Sequence, residues 1–436
     1  MTRFPGNIPA SGSPALTVAL GIVAAVAALA LLIGVHLYVW RRLVRDTTRP
    51  GVVRRVGAGV VVALGVSMVG ALVVPKVFGP RGTEWIAWPG FVWMALLLYV
   101  VLALGVLELP RLFALRALRR RGGEVSHTAA PVPVPVGAQA TGTTGPDPEP
   151  AAGASGTPLG PDRRLVLTRS VALLAAGTSL GTVGYGMSQA LGAPRTVRVR
   201  IPVARLDPRL AGFRIAVVGD IHLGPLLGRA HTTRVVETIN RTNPDLVAIV
   251  GDLADGTAAQ LGGDAAPLRR LSARHGAFFV TGNHDYMSGA TDWIAELAEL
   301  NVRTLANDRL EIARGGAAFD LAGVNDVTGK SHHDGPDFAK TLGNRDPSRP
   351  VVLLAHQPVQ VKDASRYDVD VQLSGHTHGG QMFPVQLLVK LDQPAVAGLH
   401  KVDDTMLYVT RGAGFWGPPV RVGAPPEVTL VELHPM

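Results

Sequence analysis

The sequence predicts an α/β domain carried behind an α-helical membrane region, and three observations predict it. Long uncharged apolar stretches occupy the first half of the chain. From Val197 onward, short β-branched runs alternate with helical stretches, as in βαβ units. Most of those runs end directly before a cluster of polar residues, where sites in α/β sheets are built.

The membrane region comes first. Pro14–Trp40, Val56–Pro75 and Trp85–Leu107 each run about 20 residues or more without a charged side chain, enough for a helix to cross a bilayer. Trp85, Trp88 and Trp93 near the start of the third read as interfacial anchors. A fourth stretch, Ser170–Pro194, is uncharged but rich in Gly, Ser and Thr, with Gly177 and Gly181 at a spacing that lets helices approach closely. It reads as a fourth span or as an export signal, because Arg163-Arg164-Leu165-Val166-Leu167 resembles a twin-arginine signal. The run between Gly122 and Asp162, rich in Pro, Ala, Gly and Thr, has too few large apolar residues to order itself. The expected organisation is a three-helix membrane region over 1–121, a disordered linker over 122–163, a fourth helix over 164–194 and a soluble domain over 195–436.

The arginines set a direction. Arg41, Arg42, Arg45, Arg49, Arg54 and Arg55 follow the first span, Arg111, Arg116, Arg119, Arg120 and Arg121 follow the third, and Arg163, Arg164 and Arg169 precede the fourth. The other side has only Arg3, Lys76 and Arg81. The positive-inside rule makes the arginine-rich side cytoplasmic and delivers the C-terminal domain to the outside of the cell membrane.

The formal charge of +9 is not a nucleic-acid signal. Residues 1–194 hold 17 basic and 7 acidic residues, while 195–436 hold 25 and 26, so the excess belongs to the membrane loops. The absence of cysteine excludes disulfides, thiolate metal sites and cysteine nucleophiles.

The chemistry lies after the apolar runs Arg214–Val218, Asp245–Val250, Ala277–Val280, Val351–Leu354, Val369–Leu373 and Met406–Val409. The first five lead in turn to Gly219-Asp220-Ile221-His222, Gly251-Asp252, Gly282-Asn283-His284-Asp285, His356, and Gly375-His376-Thr377-His378. Each string alone is an ordinary loop, but five in order, each at a strand end, read as a metal site. Hydrolysis of a phosphoester needs a hydroxide at neutral pH and a positive clamp on the phosphoryl oxygens, which two divalent ions about 3.5–4 Å apart supply. Imidazole, carboxylate and amide oxygen suit Mn, Fe or Zn.

This series resembles the calcineurin-like metallophosphoesterase superfamily, over about 195–436. Gly375-His376-Thr377-His378-Gly379-Gly380-Gln381 and Thr410-Arg411-Gly412-Ala413-Gly414 are similar to its bacterial membrane-associated branch, related to UDP-diacylglucosamine hydrolases. The resemblance implies a four-layer αββα sandwich with a dinuclear site at one edge. It implies Asp220, His222 and His378 on one metal, Asn283, His356 and His376 on the other, and Asp252 bridging. It also implies that His284 faces the phosphate and assists the leaving group, with Asp285 orienting it, a role that suits a histidine beside a carboxylate. One departure matters. Protein Ser/Thr phosphatases of the superfamily carry an arginine in the string that here reads Gly251-Asp252-Leu253-Ala254-Asp255-Gly256-Thr257, which argues against a phosphoprotein substrate. Asn325-Asp326 stands where two acids are expected.

Remaining candidates divide. His332 and His333 could reach the site or lie in solvent, His275 and His400 read as turn residues, and Arg411 could contact phosphate or form an ion pair. Met382, Phe383, Leu387, Leu388 and Val389 read as core or, with Phe415 and Trp416, as a membrane-facing lip. The expected activity is hydrolysis of a small or lipid-linked phosphoester by a hydroxide bridging two divalent ions. The alternatives are a non-catalytic phospho-ligand binding module and a cytoplasm-facing nucleotide phosphodiesterase.

Overall fold

A computed structural model describes residues 14–124 and 161–436, so nearly all of the expected linker falls outside the described residues. The described chain divides into two units, 1–63 with 98–179 and 64–97 with 180–436.

The apolar stretches form four helices: α1 (Pro14–Val39), α2 (Val52–Phe78), α3 (Glu84–Glu124) and α4 (Pro161–Ala190). All four are long and apolar enough to cross a membrane. Within the first unit the basic loop is pinned to its neighbours. Arg42 pairs with Glu108, which also receives Arg111 at 2.9 Å, and Arg169 Nε donates to the Thr47 carbonyl at 3.1 Å. In the second unit Trp85 is exposed and Trp88 half-buried, whereas Trp93 is buried; the third expected anchor is a packing residue.

From Arg195 the second unit continues as β1 (Arg195–Val203), β2 (Phe213–Val218), α5 (Arg229–Arg241), β3 (Leu246–Val250), α6 (Ala258–Ala265), β4 (Ala277–Val280), α7 (Asn283–Met287), α8 (Ala290–Glu299) and β5 (Val302–Thr304). Then come β6 (Asp308–Arg314), β7 (Ala317–Gly323), α9 (Phe338–Leu342), β8 (Val351–Leu354), α10 (Val361–Ala364), β9 (Val371–Ser374), α11 (Gln386–Val389), β10 (Gly398–Val402), β11 (Thr405–Val409) and β12 (Glu427–Pro435). The strands make two six-stranded sheets, ordered β1-β12-β2-β3-β4-β5 and β10-β11-β9-β8-β7-β6.

Burial explains the layers. β3, β4, β8 and β9 are buried at every residue, as expected of strands covered on both faces. Alternate residues of both sheets, among them Ile215, Val217, Ala248, Leu321, Val352 and Leu373, meet in one core between the sheets. The opposite faces are covered by helices. Val235, Ile239, Leu261, Trp293 and Leu297 of α5, α6 and α8 pack on the first sheet, and Phe338, Leu342 and Ala364 of α9 and α10 on the second. The result is a helix–sheet–sheet–helix sandwich. β2, β3 and β4 run parallel to one another, as do β8 and β9, so the loops that follow them can gather at one edge of the sandwich.

Three segments of the apolar helices also belong to this unit. The turn between α2 and α3 lies on α6, with Arg81 Nη2 3.1 Å from Asp264 Oδ2. Phe91 of α3 clusters with Leu226, and Ala190 of α4 with Leu227 and Phe415.

Candidate metal centre

Tight turns aim the site residues. Asp220, His222, Asp252, His376 and His378 all have positive φ, a conformation that costs a non-glycine residue energy and that the surrounding contacts must hold. Glycine makes room for the carboxylate of Asp252: a Cβ on Gly282 would collide with Asp252 Oδ1.

The seven side chains expected as ligands come together in two groups around one carboxylate. In the first, His222 Nε2 lies 2.9 Å from His378 Nε2, and His378 Nε2 lies 3.5 Å from Asp220 Oδ1. In the second, Asn283 Oδ1 is 3.1 Å from His356 Nε2 and 3.0 Å from His376 Nδ1. Asp252 Oδ2 stands between them, 3.7 Å from His222 Nε2 and 3.3 Å from His356 Nε2. Neighbouring bonds orient these side chains. His356 Nδ1 is 2.8 Å from the Val250 carbonyl, to which it donates, so Nε2 is the nitrogen turned toward Asp252. Asp220 Oδ1 accepts from the His376 backbone N–H at 2.8 Å, while Asp252 Oδ1 accepts from that of His284 at 2.8 Å.

The donor set fits divalent cations. Asp220 Oδ2 is buried without a hydrogen-bond partner, a costly state for a carboxylate oxygen that coordination would relieve. Two imidazole nitrogens facing each other at 2.9 Å can share at most one proton, whereas a cation between such groups uses both lone pairs. Asp220–His222–His378 and Asp252–His356–His376 each bring one ligand atom per residue within 4.8 Å of the others.

The electrostatics agree. Burial works against protonation of His222, yet Asp255, Asp252 and Asp220 outweigh it and hold its pKa up to about 9. Burial also opposes protonation of His356, but Asp252 with Asp326 and Asp220 raises it well above the ordinary histidine value. A field that favours imidazolium is one that attracts a metal cation. His376, by contrast, is pushed down to about 4 by burial and by His356, and His378 falls well below its ordinary value through burial, His222 and Arg421.

The expectation that Asp285 orients His284 is corrected. Adjacent positions on the short helix α7 point in different directions. Asp285 turns inward and accepts from the backbone N–H groups of Gly282 (2.7 Å), Asp252 (2.9 Å) and Leu253 (2.9 Å), locking the segments after β3 and β4 together. Asp255 takes the expected role. Its Oδ1 is 2.7 Å from His284 Nδ1 and 3.1 Å from His222 Nδ1. The signal was present in the sequence, since Asp255 lies three residues after Asp252 in the same loop. Arg421 gave no comparable signal: it is wholly buried and donates through Nη1 to the carbonyls of His378 (2.7 Å) and Arg411 (2.8 Å).

The other candidates resolve as follows. Arg411 forms an ion pair with Glu427 at 2.6 Å. Asn325 holds Asp334 at 2.8 Å, and Asp326 accepts from Gln357 Nε2 at 3.1 Å. His332 is exposed and stacks on Tyr286, its ring centroid 5.3 Å away, while His333 is exposed in the same turn. His275 packs on the Phe213 ring, and His400 reaches the Ala397 carbonyl at 2.9 Å. Of the proposed lip, Phe383, Leu387, Leu388 and Trp416 are exposed, but Phe415 is buried.

Residues 213–380 match the family model for calcineurin-like phosphoesterases. The chain is 39% identical over 296 residues to a bovine protein named "Transmembrane protein with metallophosphoesterase domain", covering 65% of this chain and 66% of that one. A zebrafish protein of the same name is 39% identical over 57% of this chain and 59% of its own length, so the chain spans roughly three fifths to two thirds of these vertebrate relatives. An uncharacterized metallophosphoesterase of Helicobacter pylori is 37% identical over 63% of this chain and 73% of that one.

Proposed function

We propose, from the premise that this chain belongs to the calcineurin-like metallophosphoesterase family, that it is a membrane-tethered hydrolase of small or lipid-linked phosphoesters using two divalent cations. One observation carries the two-metal reading: a single carboxylate oxygen, Asp252 Oδ2, lies between the His222 and His356 groups at 3.7 and 3.3 Å.

Asp220, His222 and His378 would hold one cation, Asn283, His356 and His376 the other, with Asp252 shared. Bound there, two divalent cations supply Lewis acidity that lowers the pKa of water and neutralises charge on phosphoryl oxygens. The remaining chemistry belongs to the chain. Asp255 fixes the His284 ring through Nδ1, which leaves Nε2 to give a proton to the departing alcohol. Asp285 and the backbone bonds around it hold the ligand loops before substrate arrives, so no reorganisation is needed during the reaction.

Two features support an extracytoplasmic domain. By chain order and the positive-inside rule, a single span separates the arginine-rich loops from the turn between α2 and α3, and that turn packs on the domain through Arg81 and Asp264.

The test uses the full chain purified in detergent and reloaded with Mn. It is expected to bind two equivalents of metal and to hydrolyse ethyl 4-nitrophenyl phosphate. Asp252→Asn is expected to lose at least a hundredfold in kcat/KM, about 2.7 kcal/mol of transition-state stabilisation. One equivalent of metal, or an Asp252→Asn variant as active as wild type, overturns the two-metal reading.

A further inference from the structure

We infer that the mouth of the site is seated in the bilayer surface by an apolar lip, so that substrate reaches it from the membrane as a phosphate-bearing amphiphile. The substrate half of this inference rests on the hydrolase reading above; the seating of the lip does not.

The lip is made of Phe383, Leu387, Leu388, Leu391 and Trp416, which are 54%, 56%, 66%, 83% and 51% exposed. Large apolar side chains on one soluble surface are a liability unless something covers them. Four of the five lie on or beside the short helix α11, within 13 positions of the site residue His378.

The bilayer is the occupant because the lip is joined to a membrane-spanning helix. Arg421 N donates to the Gly186 carbonyl of α4 at 3.0 Å, and Phe383 N donates to the neighbouring Val422 carbonyl at 3.0 Å. Gly186 is needed for this approach, since a Cβ there would lie 2.5 Å from Val420 Cγ1 and 2.9 Å from Val422 Cγ2. Two backbone hydrogen bonds therefore separate α4 from the lip. The apolar span Leu165–Ala190 has 26 residues, which at 1.5 Å per residue is about 39 Å long. That exceeds the hydrocarbon thickness of about 30 Å, which leaves the Gly186 turn at headgroup level. Tyr185 is exposed on that turn, as is usual for aromatic residues at an interface.

The lip is also joined to the site. Gln381 Nε2 donates to the Trp416 carbonyl at 3.0 Å, and Trp416 N donates to Gln381 Oε1 at 3.0 Å. The Trp416 ring stands edge-on to His284 at 5.7 Å between centroids. A headgroup phosphate entering past Trp416 would meet the metal ligands while its chains stayed among the lip residues.

The natural chain has no cysteine, so one can be placed at will. Leu388→Cys and, at the opposite end of the strands, Ser348→Cys are labelled with an NBD fluorophore in full-length protein held in nanodiscs. Doxyl-labelled phosphatidylcholine is expected to quench the label at 388 and to leave 348 unquenched. No quenching at 388, equal quenching at both, or a blue shift that appears only with two copies per disc overturns the seating. In a second arm, Leu387→Glu/Leu388→Glu is assayed on hexadecyl and ethyl 4-nitrophenyl phosphate, which share a leaving group. A fall of tenfold or more on the hexadecyl ester with the ethyl ester within twofold supports delivery from the bilayer. Equal effects on both overturn it. Wild type inactive on both esters sinks the hydrolase reading instead, while the quenching still decides the lip.

Discussion

Asp255, in the loop after β3, and Asp285, on α7, do different work. Asp285 is spent on three backbone N–H groups, whereas Asp255 faces the imidazoles of His284 and His222. Carboxylates behind functional histidines set ring orientation and basicity, and losing one typically costs 10–100-fold. Asp255→Asn keeps the shape of the side chain but not its charge. It is expected to lower kcat on ethyl 4-nitrophenyl phosphate about 10–100-fold while KM stays within about twofold. Wild-type kcat in that variant would remove Asp255 from the mechanism. At this scale the gathering of the seven side chains was readable because the candidate ligands are Asp, Asn or His placed just after strands. The sequence was misleading for Asp285 because adjacency in sequence is not adjacency around a helix.

Strands were legible where burial is complete on both faces. The apolar runs before the site loops coincide with β2, β3, β4, β8, β9 and β11 to within two residues. β1, β6 and β10 were not, because they carry charges on their exposed face: Arg198 and Arg200 alternate with Val197 and Val199 along β1, and both β1 and β10 close an edge of their sheets. β12, between β1 and β2, is buried along most of its length, but Glu427, Glu432 and His434 interrupt its apolar pattern. Helix α5 hides a different feature. His231 is buried on it, with neither ring nitrogen hydrogen-bonded, and burial followed by the nearby Arg234 and Arg421 pushes its pKa down to about 3. Because the folded pKa lies below the unfolded value near 6.5, the unfolded chain takes up the proton first as pH falls. Stability from a neutral His231 is therefore full above about pH 6.5 and declines toward pH 3. Thermal unfolding of metal-loaded protein at pH 7.5 and pH 5 is expected to show a smaller drop in His231→Leu than in wild type. Equal drops would mean that His231 does not titrate on unfolding.

At the scale of the molecule, charge placement and packing point to one side of the membrane. Fourteen arginines border one ends of the apolar helices, against Arg3, Lys76 and Arg81 at the other. Lys/Arg excess in short loops near span ends sets orientation, so reversing the chain would carry those arginines across the bilayer. The packing evidence is independent of the charge count, since the α2–α3 turn meets α6 through Arg81 and Asp264, and Leu227 meets Ala190 of α4. On the proposed topology, a domain attached to both of these segments faces the compartment that the turn faces. The cysteine-free background makes this testable, because Ser348→Cys lies in an exposed loop away from the lip. In intact cells a membrane-impermeant maleimide is expected to label Ser348→Cys fully, and lysis is expected to add no further labelling. Protection until lysis would place the domain in the cytoplasm, reverse the topology, and favour a soluble intracellular phosphoester over any substrate of the outer leaflet.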